Sequence, residues 1–112
     1  MEQIVRDAPQ RYKKTPALAA QRWIDRHIDV PLNKNQFAAL VSFLITVSLR
    51  DSTLSAIMVW LNQHEFTEAW DEISLFTVAN GREVDYLRGR RELEEELFFT
   101  ECDPDITLVV NR

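Results

Sequence analysis

Between Asn35 and Gln63 apolar residues crowd together and charge almost vanishes; the only charged residues in that run are the adjacent Arg50 and Asp51. Phe37, Leu40, Val41, Phe43, Leu44, Ile45, Val47 and Leu49 fill the first part, and Leu54, Ile57, Met58, Trp60 and Leu61 the second. Neither part reaches the roughly 20 apolar residues of a membrane span, and runs of about 10–14 more often mark buried core helices. The pattern predicts two helices joined at a tight corner, a buried apolar hairpin covered on most sides by the rest of the domain or by another subunit. Asn33 or Asn35 suits the cap of the first helix, and Asp51 or Ser52 that of the second. Upstream, Thr15 and Pro16 form a helix start. Leu18, Trp23, Ile24 and His27 then recur at helical spacing up to about Asp29, where Pro31 disfavours helical geometry at the preceding residue.

The second half reads less cleanly. Phe66, Ala69, Trp70, Ile73 and Phe76 fit a helix with Asn80 and Gly81 as its left-handed stop. Ile73 to Val78 also suits a strand, and Asn-Gly between apolar stretches is a strong hairpin signal. The favoured reading is a short helix over Phe66 to Asp71, a strand over Ile73 to Val78, and a return through Glu83 to Leu87. A charged connector follows from Arg88 to Glu96, with room for a helical turn or two. Leu97 to Glu101 and Ile106 to Val110 then read as a terminal hairpin, turned by Cys102, Asp103, Pro104 and Asp105. The fold class expected is α+β: N-terminal helices including the buried apolar helical hairpin, followed by a small C-terminal antiparallel β-sheet or hairpin.

Length and composition bound this picture without changing it. A chain of 112 residues with 46% hydrophobic content and two glycines has the size and core of a single domain spanning 1–112. Residues 1–14, with Arg6, Arg11, Lys13 and Lys14, read as a loose basic arm. The single cysteine, Cys102, forms no internal disulfide, and the start shows no secretory pattern, which makes the cytoplasm the default location.

Candidate chemistry is sparse. Glycine-rich phosphate loops and paired cysteines are missing, and His27 and His64 are the only histidines. His64 to Glu68 opens like a zincin helix, but the second histidine that would complete a shared metal face is replaced by Glu68. Acidic neighbours of Cys102 work against a thiolate nucleophile, and nothing marks one carboxylate pair for the desolvation that acid–base catalysis requires. The expectation is therefore of no enzyme, no catalytic residue, no metal and no cofactor. Trp23, Trp60 and Trp70 lie in apolar helical stripes and read as core.

Charge then selects a partner. Residues 1–50 sum to +4 and residues 51–112 to −9, giving −5 for the whole. That total argues against direct nucleic-acid binding, which rests on phosphate neutralisation. A carboxylate-rich surface instead suits a basic protein such as a nuclease or other nucleic-acid enzyme. The reading is a small acidic protein-binding module that occupies its partner stoichiometrically, as an immunity protein or a phage or plasmid inhibitor does. Glu92, Glu94, Glu95, Glu96, Asp103 and Asp105 would meet the partner's cations, and Phe98 would add apolar contact. The alternative is a homo-oligomeric regulator, dimeric through its apolar hairpin, whose basic arm touches nucleic acid.

Overall fold

The computed structural model describes residues 16–101. The basic arm, the Thr15 cap, Asp103, Asp105 and the run Ile106 to Val110 lie outside them. Five helices and one short antiparallel ribbon make up the described chain: α1 (16–27), α2 (Lys34–Ile45), α3 (Leu54–Asn62), α4 (Phe66–Ile73), β1 (Val78–Ala79), β2 (Arg82–Glu83) and α5 (Asp85–Phe98). The α+β expectation holds in this coarse form, as a mainly helical domain carrying a two-stranded sheet. Among the described residues no helix is long and apolar enough to cross a membrane.

Helix α1 turns Ala20, Trp23 and Ile24 inward, and Ile28 and Leu32 continue the same buried surface past its end. Asn62, the last residue of α3, fastens that exit. Its amide nitrogen donates to the His27 carbonyl at 2.9 Å and its oxygen accepts from the Asp29 backbone N–H at 2.6 Å. One side chain thereby satisfies a donor and an acceptor that the end of α1 leaves open.

Helix α2 begins with a capping box. The Asn33 side chain accepts from the Gln36 N–H at 2.8 Å while Gln36 Oε1 accepts from the Asn33 N–H at 2.9 Å. Two orphan donors are thus satisfied reciprocally. Asn33→Ala should lower stability by about 1 kcal/mol, measured as a shift in the urea midpoint without a change in slope. Helix α3 starts at Leu54 after Thr53, whose N–H donates to Asp51 Oδ1 at 2.9 Å. Asp51 organises the turn before the helix, two residues ahead of the cap position at Thr53.

The two apolar helices do not pair as a hairpin. Helix α2 packs chiefly on α5 and α3 on α4, so the apolar run is divided between two helix pairs around one core. The eight residues from Thr46 to Thr53 supply the freedom for this, where a tight corner would have forced the helices together. Helix α4 continues to Ile73, and further turns follow, with the Ser74 N–H on the Trp70 carbonyl and the Phe76 N–H on the Ile73 carbonyl. The expected strand from Ile73 to Val78 is therefore mostly helical turn, because Ala69, Trp70 and Ile73 together face the core at helical spacing. The Asn-Gly signal holds. Asn80 at φ 55° and Gly81 at φ 77° form the turn, positive at both central residues as tight hairpins require. Val78 pairs with Glu83 and Ala79 with Arg82.

The largest correction falls on the last helix. The helical turn or two allowed within the Arg88 to Glu96 connector extends over the whole segment, and Leu97 and Phe98 are no strand; all belong to the 14-residue α5. The sheet accordingly lies between α4 and α5 instead of at the end of the described chain.

Candidate functional site

Helix α5 reverses the usual polarity of a surface helix. Its buried residues are Arg91, Glu94 and Phe98, whereas Tyr86 and Leu93 stand 67% and 68% exposed, with Leu97 also open. A charged pair inside and an apolar stripe outside are the two departures from ordinary burial that carry information. Positions 86, 93 and 97 recur at helical spacing, so the open apolar groups share one face.

The buried charges tie α5 to α2. Arg91 and Glu94 are 2% and 4% exposed, and Arg91 Nε stands 2.9 Å from Glu94 Oε1 as an ion pair without hydrogen-bond alignment. Arg91 Nη2 donates to Glu94 Oε2 at 3.2 Å and to Thr46 Oγ1 at 2.9 Å, and Nη1 to the Phe76 carbonyl at 3.4 Å. The guanidinium also lies 5.0 Å from the Phe43 ring centre, a cation–π contact strengthened by desolvation. Burial pulls the Arg91 pKa below its ordinary value, with Glu94 acting in the opposite direction. Arginine stays charged through such a shift.

Arg90 extends the network to the surface. Its Nε donates to Glu94 Oε2 at 3.0 Å, Nη1 to Tyr86 Oη at 2.9 Å and Nη2 to the Ser42 carbonyl at 3.2 Å, while Ser42 Oγ donates to Glu94. Desolvation opposes its charge, but the hydrogen bonds to Tyr86 and Glu94 outweigh that and the Arg90 pKa is raised. At the start of α5, Arg88 bridges Glu83 and Asp85, both at 2.8 Å, which raises its pKa and pins the ribbon to the helix.

Beside this network lies a cleft of about 710 Å³ along α5, lined by Ser42, Tyr86, Gly89, Arg90 and Leu93 among others, with the carboxylates Asp85, Glu92 and Glu94 also in its lining. Its floor is rigid because Arg90 is held from three directions. Gly89 opens it further. A Cβ at that position would meet nothing within 4 Å, so internal packing does not require the glycine, although it weakens a helix by roughly 0.5–1 kcal/mol relative to alanine.

The profile of the phage lysozyme family matches residues 5–94, which include all of α1 to α4, the ribbon and most of α5. The chain belongs to the phage lysozyme family. An endolysin of Bacillus phage B103 is 34% identical over 77 residues, 69% of this chain and 29% of that protein. The chain spans less than a third of that relative's length. Membership of a family named for a glycan-cleaving enzyme overturns the reading as an inhibitor or immunity protein, the alternative reading as an oligomeric regulator, and the expectation of no enzymatic role.

Two residues of the acidic interface are withdrawn from the surface. Glu94 is buried in an ion pair, Phe98 is 1% exposed in the core, and Asp103 and Asp105 lie outside the described residues. Glu92 and Glu96 face solvent and Glu95 is half-buried; at spacings of three and four these three share one side of α5, and Glu94 alone of the four glutamates turns inward. Tyr86, Gly89, Arg90 and Leu93 went unnoticed in the sequence. The signal available was a glycine inside a helix flanked by Tyr86 and Leu93 seven residues apart. Among the described residues no cluster of His, Cys, Asp and Glu is arranged to hold a metal, and His64, at φ 60° before α4, packs its ring 5.5 Å from Phe66.

Proposed function

We propose that the chain acts in a lysozyme-type peptidoglycan hydrolase and that the α5 cleft holds the glycan strand. The observation that carries this reading is the outward apolar stripe of α5 over a fixed polar floor, in a chain of the phage lysozyme family. Sugar rings present apolar faces and hydroxyl edges. Tyr86 and Leu93 supply contact for the first, and the Arg90 guanidinium and Ser42 supply partners for the second.

Glycoside hydrolysis uses two carboxyl groups, one of them desolvated enough to act as an acid. Asp85 and Glu92 are exposed and Glu94 is committed to two arginines. Bond-breaking is therefore not assigned to these three carboxylates, and their contribution is to bind and orient the strand.

Incubation with purified peptidoglycan tests the reading, by release of new reducing sugar ends and by co-sedimentation with the insoluble wall. Retention on the wall with reducing ends supports it, while free amines without reducing ends would point to peptide-bond cleavage. Gly89→Ala sharpens the test. It should raise stability by about 0.5–1 kcal/mol, because alanine is the better helix former, and yet weaken wall retention by placing a methyl in the cleft. A variant that is both more stable and equally well retained would remove the cleft from the mechanism.

A further inference from the structure

A second groove lies away from α5, where α1 meets the connection between α2 and α3. Arg22, Trp23, Arg26 and His27 of α1 line a hollow of about 330 Å³ that is closed by Leu49. An adjoining hollow of about 210 Å³ shares Trp23, His27 and Leu49 and adds Arg50, Asp51 and Ser55. Together they form one groove with three guanidinium groups and one carboxylate, in a chain whose net charge is −5.

The three arginines are exposed and make no ion pair with a carboxylate among the described residues, in contrast to Arg88, Arg90 and Arg91. Arg22 and Arg26 stand four residues apart, about 5–6 Å between Cβ atoms, a like-charge spacing that weakens a helix. Asp51, whose Oδ1 accepts the Thr53 N–H at 2.9 Å, lies in the hollow of Arg50 and offsets one of the three positive charges, which leaves Arg22 and Arg26 in excess. A bound oxyanion removes the repulsion and fits the planar donor forks, which match carboxylate and phosphate geometry.

We propose that this groove binds the phosphate groups of a linear polyanion that carries no bases. The two-lobed shape supports a polymer over a single ion, because Arg22 and Arg26 sit in one lobe and Arg50 in the other with the His27 ring between them. Bases are excluded by the aromatic geometry. Trp23 is only 8% exposed and the His27 ring lies 4.8 Å from it, tilted by 49°, which leaves no open indole face of the kind on which single-stranded bases stack. The groove shares no lining residue with the α5 cleft, so it stands or fails independently of the glycan reading.

The test is an NMR titration of the full chain with a short inorganic polyphosphate, with parallel arms of poly-glutamate and a single-stranded oligonucleotide at matched charge. Polyphosphate should move the backbone signals of residues 19–27 and 49–58 and leave those of α5 in place. Arg22→Gln with Arg26→Gln, and separately Arg50→Gln, should each weaken binding about tenfold per guanidinium removed while the melting temperature stays near that of the parent. Shifts scattered over the surface, or affinity unchanged in these variants, would overturn the proposal. Equal or tighter binding of poly-glutamate would reassign the groove to carboxylates, and equal or tighter binding of the oligonucleotide would reassign it to nucleic acid; either result overturns the phosphate assignment.

Discussion

Arg91→Met should lower the free energy of unfolding by about 3–5 kcal/mol, the usual effect of removing one partner from a buried ion pair. Methionine fills much of the same volume but leaves Glu94, 4% exposed, with Arg90 and Ser42 alone to balance its charge. The substitution also removes the hydrogen bonds to Thr46 Oγ1 and the Phe76 carbonyl, which tie α5 to the end of α2 and to the turn after α4. Urea unfolding followed by circular dichroism measures the loss. A paired variant separates charge from packing: Arg91→Met with Glu94→Leu should recover a large part of the stability, because an apolar pair of similar volume often replaces a buried ion pair without cost. Arg90 then remains satisfied by Tyr86 and solvent. A loss below about 1 kcal/mol for the single variant would mean that the guanidinium is solvated and that α5 does not bury its charges.

The same ion pair explains why α5 was illegible. A helix is recognised by apolar residues at a spacing of three and four, and on the core-facing side of α5 two of the three buried positions are Arg91 and Glu94. Its apolar residues Tyr86 and Leu93 mark the open face, so the periodicity points away from the core and the segment reads as a solvated charged run. Where burial and hydrophobicity agree, the sequence is sufficient. Asn33, one of the two asparagines suited to the cap, opens α2, and Asn80-Gly81 marks the ribbon turn. Pairing between helices was not encoded locally, since the apolar faces of α2 and α3 are equally suited to each other and to α5 and α4. The site was hidden for the same reason as α5: a cleft that binds a ligand exposes apolar groups and buries polar ones, which inverts the signals used to find a core.

Phe98→Ala should cost about 3–5 kcal/mol, the range for emptying a buried aromatic site. The ring is 1% exposed and packs edge-on to Phe66 at 5.2 Å and Phe99 at 5.1 Å, and tilted against Trp70 at 5.4 Å between centroids. Through Phe66 and Trp70 it holds the last turn of α5 against α4, one turn beyond Glu94 of the Arg91 network. The charge pattern of the chain had assigned the same residue to an exposed partner contact, and the two assignments predict different outcomes. A contact residue truncated to alanine leaves folding intact and weakens association, whereas a core residue truncated to alanine shifts the whole unfolding transition. Phe99, 49% exposed on the next position, provides the internal control and should lose no more than about 1 kcal/mol, since less area leaves water there. Parallel urea titrations of the two variants measure the difference. Equal and small losses would place Phe98 at the surface, free the end of α5 from α4, and restore an aromatic contact patch beside the glutamates; a large loss confined to Phe98 fixes α5 as the helix on which both the core and the α5 cleft depend.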